Sequence, residues 1–222
     1  MANAKISALT ALTGAGADAT ADVLAVVDTS ATTTKKMLFE EFVIGVTPSQ
    51  ATLDAGASTK TVLTPALNRI ALGTETSASG ATMDYTGFPA GTRLIRIMLV
   101  GLSSNGTSNY LIQLGDAGGF ETTGYVSGAH RGAQSATSTA GFIVSTSNNT
   151  TATICGVITL ILEKSSTFQW VSHGVLSDPS VPEGWWSAGY KALSQELTQI
   201  RITTVNGTDT FDAGFVNVQY ER

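Results

Sequence analysis

The stretch Ile154-Cys155-Gly156-Val157-Ile158-Thr159-Leu160-Ile161-Leu162 decides the fold class of this chain. In an extended strand its side chains are mostly apolar on both faces, and the run is far shorter than the roughly 20 residues that a membrane span needs. A second run, Arg93–Val100, is nearly as apolar. Strands buried on both faces usually lie in the middle of a packed structure. Each sheet of a single sandwich has one outer face, so we expect a neighbouring subunit to cover the second apolar face.

The part of the chain from Asp84 to the end reads as a series of short strands. Turn residues recur there at a spacing typical of an all-β sandwich. Clean alternation predicts that Tyr110, Ile112 and Leu114 point inward. We expect strands near residues 93–101, 109–115, 121–127, 141–145, 152–163, 168–176, 187–193, 198–205 and 211–220. Nine short strands after a helical segment predict a jelly-roll-like β-sandwich.

The stretch Thr47–Leu72 separates these strands from the N-terminal segment and is the stretch around which the chain is organised. It predicts two short helical turns, because Pro48 and Pro65 each suit a first helical position. Helical turns this short are not stable alone in water, so we expect them to pack on the same segment of neighbouring subunits. The predicted oligomer contacts in this stalk are Leu53, Leu63, Leu67 and Ile70.

The predicted domains are an N-terminal attachment arm (residues 1–46), a short helical stalk and linker (residues 47–83) and the β-sandwich (residues 84–222). Within the arm, Val23–Val27 favours a short strand, and Thr34 is suited to cap a short helix through Met37–Phe42. The arm has too little apolar surface to fold alone.

Composition excludes several classes of protein. Charged residues make up 13% of the chain and the net charge is −5, so a basic nucleic-acid-binding surface is not expected. A single cysteine, Cys155, allows no internal disulfide framework. The first residues lack the basic and apolar regions of a secretory signal, so we expect a protein made in a cytoplasm and not inserted into a membrane.

The residue types that carry chemistry are not grouped in the sequence. His130 and His173 have no second ligand at a metal-binding spacing, and Cys155 lies within an apolar strand. We therefore predict no catalytic residue, metal or cofactor, and a protein that is not an enzyme.

The segment from Asp178 to Trp186 is the one candidate binding site. Asp178 and Glu183 precede Trp185-Trp186, an acidic-aromatic arrangement suited to glycan contact by stacking. The same tryptophans would equally anchor the sandwich or a subunit contact. On an extended strand the two rings point to opposite faces, so at most one of them joins the core.

Several short motifs occur in order along the chain. They are Ile6-Ser7-x-Leu9, Asp22-x-Leu24-x-Val26-Val27, Thr33-Thr34-Lys35-Lys36, Gln50-Ala51-x-x-x-Ala55-Gly56, Thr64-Pro65-x-x-Leu67 and Asp212-x-Gly214-x-x-x-Val218-x-Tyr220-Glu221. The N-terminal and stalk motifs resemble segments of bacteriophage tail fibres and related virion appendages. The last motif resembles the closing strand of phage fibre and head-decoration β-domains.

The resemblance implies a homotrimeric tail-fibre, head-fibre or capsid-decoration protein that is made in the cytoplasm of a bacterial host and located in the virion. Residues 1–46 would attach it to other capsid or tail proteins, through Ile6, Leu9, Val23, Val26, Lys35 and Lys36. The alternative is a host-glycan lectin that uses the Trp185-Trp186 loop. A depolymerase is the weakest hypothesis, since no internal repeat of the kind found in β-helix spikes occurs.

Overall fold

The N-terminal part of the chain contains a β-hairpin. The computed structural model describes residues 70–222, apart from residues 147, 180 and 182, together with the backbone of the two hairpin strands, β1 (Val23–Val27) and β2 (Thr34–Leu38). These strands pair antiparallel, with Val23 opposite Leu38 and Val27 opposite Thr34. The predicted strand at Val23–Val27 is confirmed. The predicted helix is wrong where it covers Met37 and Leu38, because these residues pair with β1 and satisfy their backbone groups across the hairpin.

The chain divides into two compact units, Met1–Asn68 and Arg69–Arg222. Fourteen strands are described in the second unit. They are β3 (Ile70–Leu72), β4 (Thr76–Ser77), β5 (Met83–Thr86), β6 (Leu94–Ser104), β7 (Tyr110–Asp116), β8 (Gly119–Phe120), β9 (Val126–Arg131), β10 (Gln134–Ser138), β11 (Phe142–Ile143), β12 (Ile154–Lys164), β13 (Gln169–Asp178), β14 (Glu183–Ala192), β15 (Gln199–Thr204) and β16 (Phe211–Glu221).

These strands form two antiparallel sheets that pack face to face, which confirms the predicted all-β sandwich. The larger sheet has nine strands in the order β10-β9-β14-β13-β12-β6-β16-β3, with β4 also paired to β16. The smaller sheet has five strands in the order β11-β7-β15-β5, with β8 paired to β7. The main hydrophobic core joins them, with Ile158 and Trp170 from the larger sheet and Ile112 and Ile200 from the smaller one.

Strand β12 lies in the middle of the larger sheet, between β6 and β13, as its sequence predicts. Its two faces differ, however. Ile158 and Leu160 are completely buried, whereas Val157 and Ile161 on the other face are 41% and 36% exposed. One face of this strand is therefore uncovered within the described part of the chain, and cover by a neighbouring subunit stays a prediction.

The longest described strand that is buried on both faces is β7. Tyr110, Ile112 and Leu114 point into the core, as predicted. On the opposite face, Leu111 packs with Ala129 of β9 and Ile143 of β11 in a second apolar cluster. The β9 end of the larger sheet therefore covers the far side of the smaller sheet. Sequence alternation does not reveal this cover, because it comes from another sheet.

The sandwich begins earlier than the predicted boundary at Asp84. Strand β3 pairs with the end of β16, so that Ile70 lies opposite Glu221 and Leu72 opposite Gln219. Strand β4 pairs with β16 as well. The helical assignment is thus wrong at Ile70–Leu72, and residues 73–83 belong to the sandwich. The short segment is extended because β16, about 150 residues further along the chain, supplies its hydrogen-bond partners.

The strands around residues 121–138 also differ from the prediction. Residues 121–125 lie between strands, and β9 starts at Val126 instead of Glu121. Strand β10, which was not predicted, follows after a short turn and pairs only with β9 among the described strands. Its sequence, Gln134–Ser138, is polar and shows no alternation of apolar and polar residues. A strand at the edge of a sheet packs against little apolar surface, so it needs few apolar side chains.

Candidate binding site

Trp185 and Trp186 lie on opposite faces of β14, as their adjacency on a strand predicts. Both neighbours of β14, β13 and β9, pair with it through this region and keep it extended. Trp185 is completely buried, and its indole Nε1–H donates a hydrogen bond of 2.8 Å to the Thr146 carbonyl oxygen. Trp186 points out of the larger sheet and is 57% exposed. One ring thus belongs to the core and the other to the surface.

Arg131, at the end of the neighbouring strand β9, contacts the Trp185 ring. Its guanidinium carbon lies 4.7 Å from the centroid of the Trp185 ring, and its Nε donates to Glu183 Oε2 at 2.7 Å. A cation over an indole face is electrostatically favourable. Arg131 is not among the residues predicted from the sequence, because it precedes Trp185 by more than fifty residues and no local pattern shows that β9 pairs with β14.

The four residues predicted to contact a glycan do not share one surface. Asp178 is 2% exposed and accepts a hydrogen bond from the Thr153 hydroxyl at 3.4 Å. Asp178 and Glu183 are in register with each other and lie on the same side of the sheet as Trp185. Trp186 lies on the other side. The acidic residues are therefore not placed to bind the hydroxyls of a sugar stacked on Trp186.

The in-register neighbours of Trp186 give its actual surroundings. They are Val175 on β13 and His130 on β9. The ring also lies over the backbone at Gly184, where an added Cβ would be 3.9 Å from ring atoms. The surface around Trp186 is thus mainly apolar, with the His130 imidazole as the nearest in-register polar group.

A buried carboxylate links the turn between the two strands β7 and β8 to the loop before β15. Asp116 is 2% exposed and accepts hydrogen bonds from the Ser194 hydroxyl at 2.7 Å, the Gly118 N–H at 2.8 Å and the Gln195 N–H at 3.0 Å. Burial alone would raise the pKa of Asp116, but these hydrogen bonds outweigh it and lower the pKa below its usual value. Both carboxylate oxygens already have donors, so the cluster is structural.

Replacing Asp116 with asparagine is expected to lower the free energy of unfolding by about 2 kcal/mol at neutral pH, since an NH₂ group then faces N–H donors. Because the folded-state pKa is lowered, the carboxylate stabilises the fold fully above about pH 4, its usual pKa range, and this contribution is lost as the pH falls through the folded-state pKa. Urea unfolding at several pH values measures the effect. Asp212→Asn, at an exposed position, is the control, and equal losses for the two variants would contradict this role.

A partly buried ion pair lies next to this cluster. The Lys191 ammonium pairs with Glu121 Oε2 and lies 5.4 Å from the centroid of the Tyr125 ring. The Tyr125 hydroxyl accepts from the Leu114 N–H at 2.7 Å and donates to the Glu121 carbonyl oxygen at 3.0 Å. Burial raises the pKa of Tyr125 far above its usual value, so its hydroxyl stays protonated. These groups bind one another and join β14 to the segment before β9.

Two further findings concern the part of the chain that the structure describes. No group of three or more histidine, cysteine, aspartate or glutamate side chains lies close enough there to hold a metal ion. Within the same residues, no helix has the length and apolar character needed to cross a membrane.

No family model, curated protein or solved structure matches this chain.

The other predicted site residues lie mainly in the first unit. Val23 and Val26 are in β1, and Lys35 and Lys36 are in β2, where only the backbone is described. Ile70 is 47% exposed on β3. Ile6, Leu9, Leu53, Leu63 and Leu67 lie outside the described residues.

Proposed function

We propose that this protein is a structural component of a bacteriophage particle, a homotrimeric fibre or capsid-decoration protein anchored by its N-terminal unit. The observation that carries the proposal is the division of the chain at residues 68 and 69. The motifs that resemble phage attachment and stalk segments fall in the first unit, whereas all the described strands of the two sheets fall in the second. Such a division suits one unit that attaches and one that is displayed.

The internal chemistry of the sandwich supports a structural role. Its conspicuous charged groups are used within the fold, since Asp116 binds the loop before β15, Lys191 binds Glu121, and Arg201 binds Asp84 through two hydrogen bonds of 2.7 Å. Groups held in this way join strands that are distant in sequence. They are suited to stiffen a displayed domain.

A host-glycan lectin is the second candidate. The observation that favours it is the exposed indole of Trp186, because a flat aromatic surface suits stacking against the apolar face of a sugar ring. The separation of Asp178 and Glu183 from this ring weighs against the predicted four-residue site. The virion role is therefore the stronger proposal, and glycan binding would be an additional property of the displayed domain.

Deleting residues 1–46 is expected to leave a soluble, folded sandwich that no longer joins the particle. The deletion spares every described strand from β3 onward, so circular dichroism should retain a β spectrum. Virions are assembled with the truncated protein as the only form of this chain. They are expected to carry less than about a tenth of the copies that normal virions carry. Quantitative mass spectrometry of purified particles measures this ratio.

Two charge reversals in β2 give a finer test of attachment. Lys35→Glu with Lys36→Glu is expected to lower incorporation, whereas Lys164→Glu, at an exposed position in the sandwich, should leave it unchanged.

Normal copy number for the deletion variant would show that attachment lies elsewhere in the chain. A complete absence of the intact protein from virions would refute the proposed function itself.

A further inference from the structure

The exposed apolar side chains of the sandwich are almost all on one surface. Eleven large hydrophobic residues are exposed by 36% or more among the described residues, and ten of them point out of the nine-stranded sheet, away from the five-stranded one. We call this surface the outer face. The eleventh residue, Val205, follows β15 of the smaller sheet. A scatter of single exposed residues is normal, but this one-sided distribution is not.

Strand register places these side chains next to one another. Trp186, Val175 and Val157 lie opposite each other on β14, β13 and β12. Tyr190 lies four residues after Trp186 on β14 and begins a second row. This row continues through Val171 on β13 to Ile161 on β12. Neighbouring strands are about 4.8 Å apart, so each row is continuous. The outer face therefore carries two apolar rows across the middle of the sheet, separated by one row in which His173, Thr159 and Arg96 lie in register.

The size of this surface matches that of a protein interface. Ten side chains exposed by 36–64% present on the order of 800 Å² of surface, whereas the largest apolar patch of a typical monomer covers ~300–600 Å². Each partner in a complex of standard size buries about 800 Å². A sugar stacked on Trp186 and Tyr190 would leave the apolar residues of β12, β6 and β16 uncovered.

The charge of the outer face suits a second copy of the same chain. The formally charged side chains at in-register positions among its apolar residues are Arg96 and Glu221, one of each sign. Arg96 also donates a hydrogen bond of 3.0 Å to Gln219 beside it on β16. A chain of net charge −5 repels its own copies, so copies meet most favourably on a surface that carries no net charge.

We infer that the outer face is the contact surface between copies of this chain. Sheets pack well face to face with their apolar side chains interdigitated, and the outer face of another copy supplies such a surface. In a trimer, the three outer faces turn toward the common axis. This inference rests on the homo-oligomer that forms part of the proposed function, and it assigns the surface that holds the oligomer together.

The test compares two valines of similar exposure. Val175 lies at the centre of the outer face and is 60% exposed, whereas Val205 lies outside it and is 54% exposed. Light scattering of the full-length protein at micromolar concentration is expected to give a multiple of 22.9 kDa for the unchanged chain. Val175→Arg is expected to weaken association at least 100-fold, and Val205→Arg is expected to leave it unchanged.

A second measurement needs no substitution. Hydroxyl-radical labelling of the unchanged protein is expected to modify Trp186 and Tyr190 several-fold less in the oligomer than after dilution to monomer. A stable monomer at micromolar concentration overturns the inference. An oligomer in which Trp186 is labelled freely and Val175→Arg has no effect also overturns the inference. The stalk would then hold the copies together, and the proposed virion role would be unaffected. Protection of Trp186 only when host polysaccharide is added overturns it in favour of the lectin.

Discussion

Replacing Trp185 with alanine is expected to lower the free energy of unfolding by about 3–5 kcal/mol, as truncation of a core aromatic residue does. The substitution leaves a cavity at a completely buried position and removes the donor to the Thr146 carbonyl oxygen. It also removes the ring beneath the Arg131 guanidinium. Chemical denaturation followed by circular dichroism measures the loss. Trp185→Phe keeps a ring but not the N–H donor, so its loss should be intermediate.

The matched control is the neighbouring residue. Trp186→Ala should change the stability of the sandwich by about 1 kcal/mol or less, because an exposed side chain loses little burial on truncation. Its effect should appear instead in association between copies, measured by light scattering. A glycan array with the unchanged protein and Trp186→Ala tests the lectin hypothesis in parallel. Equal stability losses for the two alanine variants would contradict the assignment of one ring to the core.

Replacing Gly156 with alanine is expected to cost about 3 kcal/mol or more of stability, through backbone strain and overpacking together. Gly156 lies at the irregularity where the register of β12 against β6 shifts. Its φ of +143° is one that residues with a side chain rarely adopt. An added Cβ would lie 2.3 Å from the Val175 carbonyl oxygen and 2.8 Å from the Leu176 Cα, both of which are backbone atoms of the paired strand.

Gly128→Ala is the control for this prediction. Gly128 lies in β9 of the same sheet, and an added Cβ would come no closer than 3.7 Å to the Ala136 carbonyl oxygen. This substitution should change stability by less than about 1 kcal/mol. Urea unfolding of both variants gives the comparison. A silent Gly156→Ala would mean that β12 and β13 separate there at little cost, which their continuous pairing does not support.

The sequence by itself determined the fold class and the direction of many side chains. Alternation with a period of two predicts which residues share a face, and it holds for Tyr110, Ile112 and Leu114 in the core. The same rule places Trp185 and Trp186 on opposite faces, because adjacent residues of an extended strand always diverge. These properties are local, so the chain needs no partner to specify them.

Tertiary structure alone decided what covers each face. Val157 and Ile161 are exposed although the run from Ile154 to Leu162 is mostly apolar, whereas Leu111 is buried by the β9 and β11 region. The order of the strands also placed Arg131 on Trp185. It made Ile70–Leu72 a strand, through pairing with β16. Each of these outcomes depends on contacts between residues that are far apart in the sequence, and a local pattern carries no information about which distant strand will pair with it.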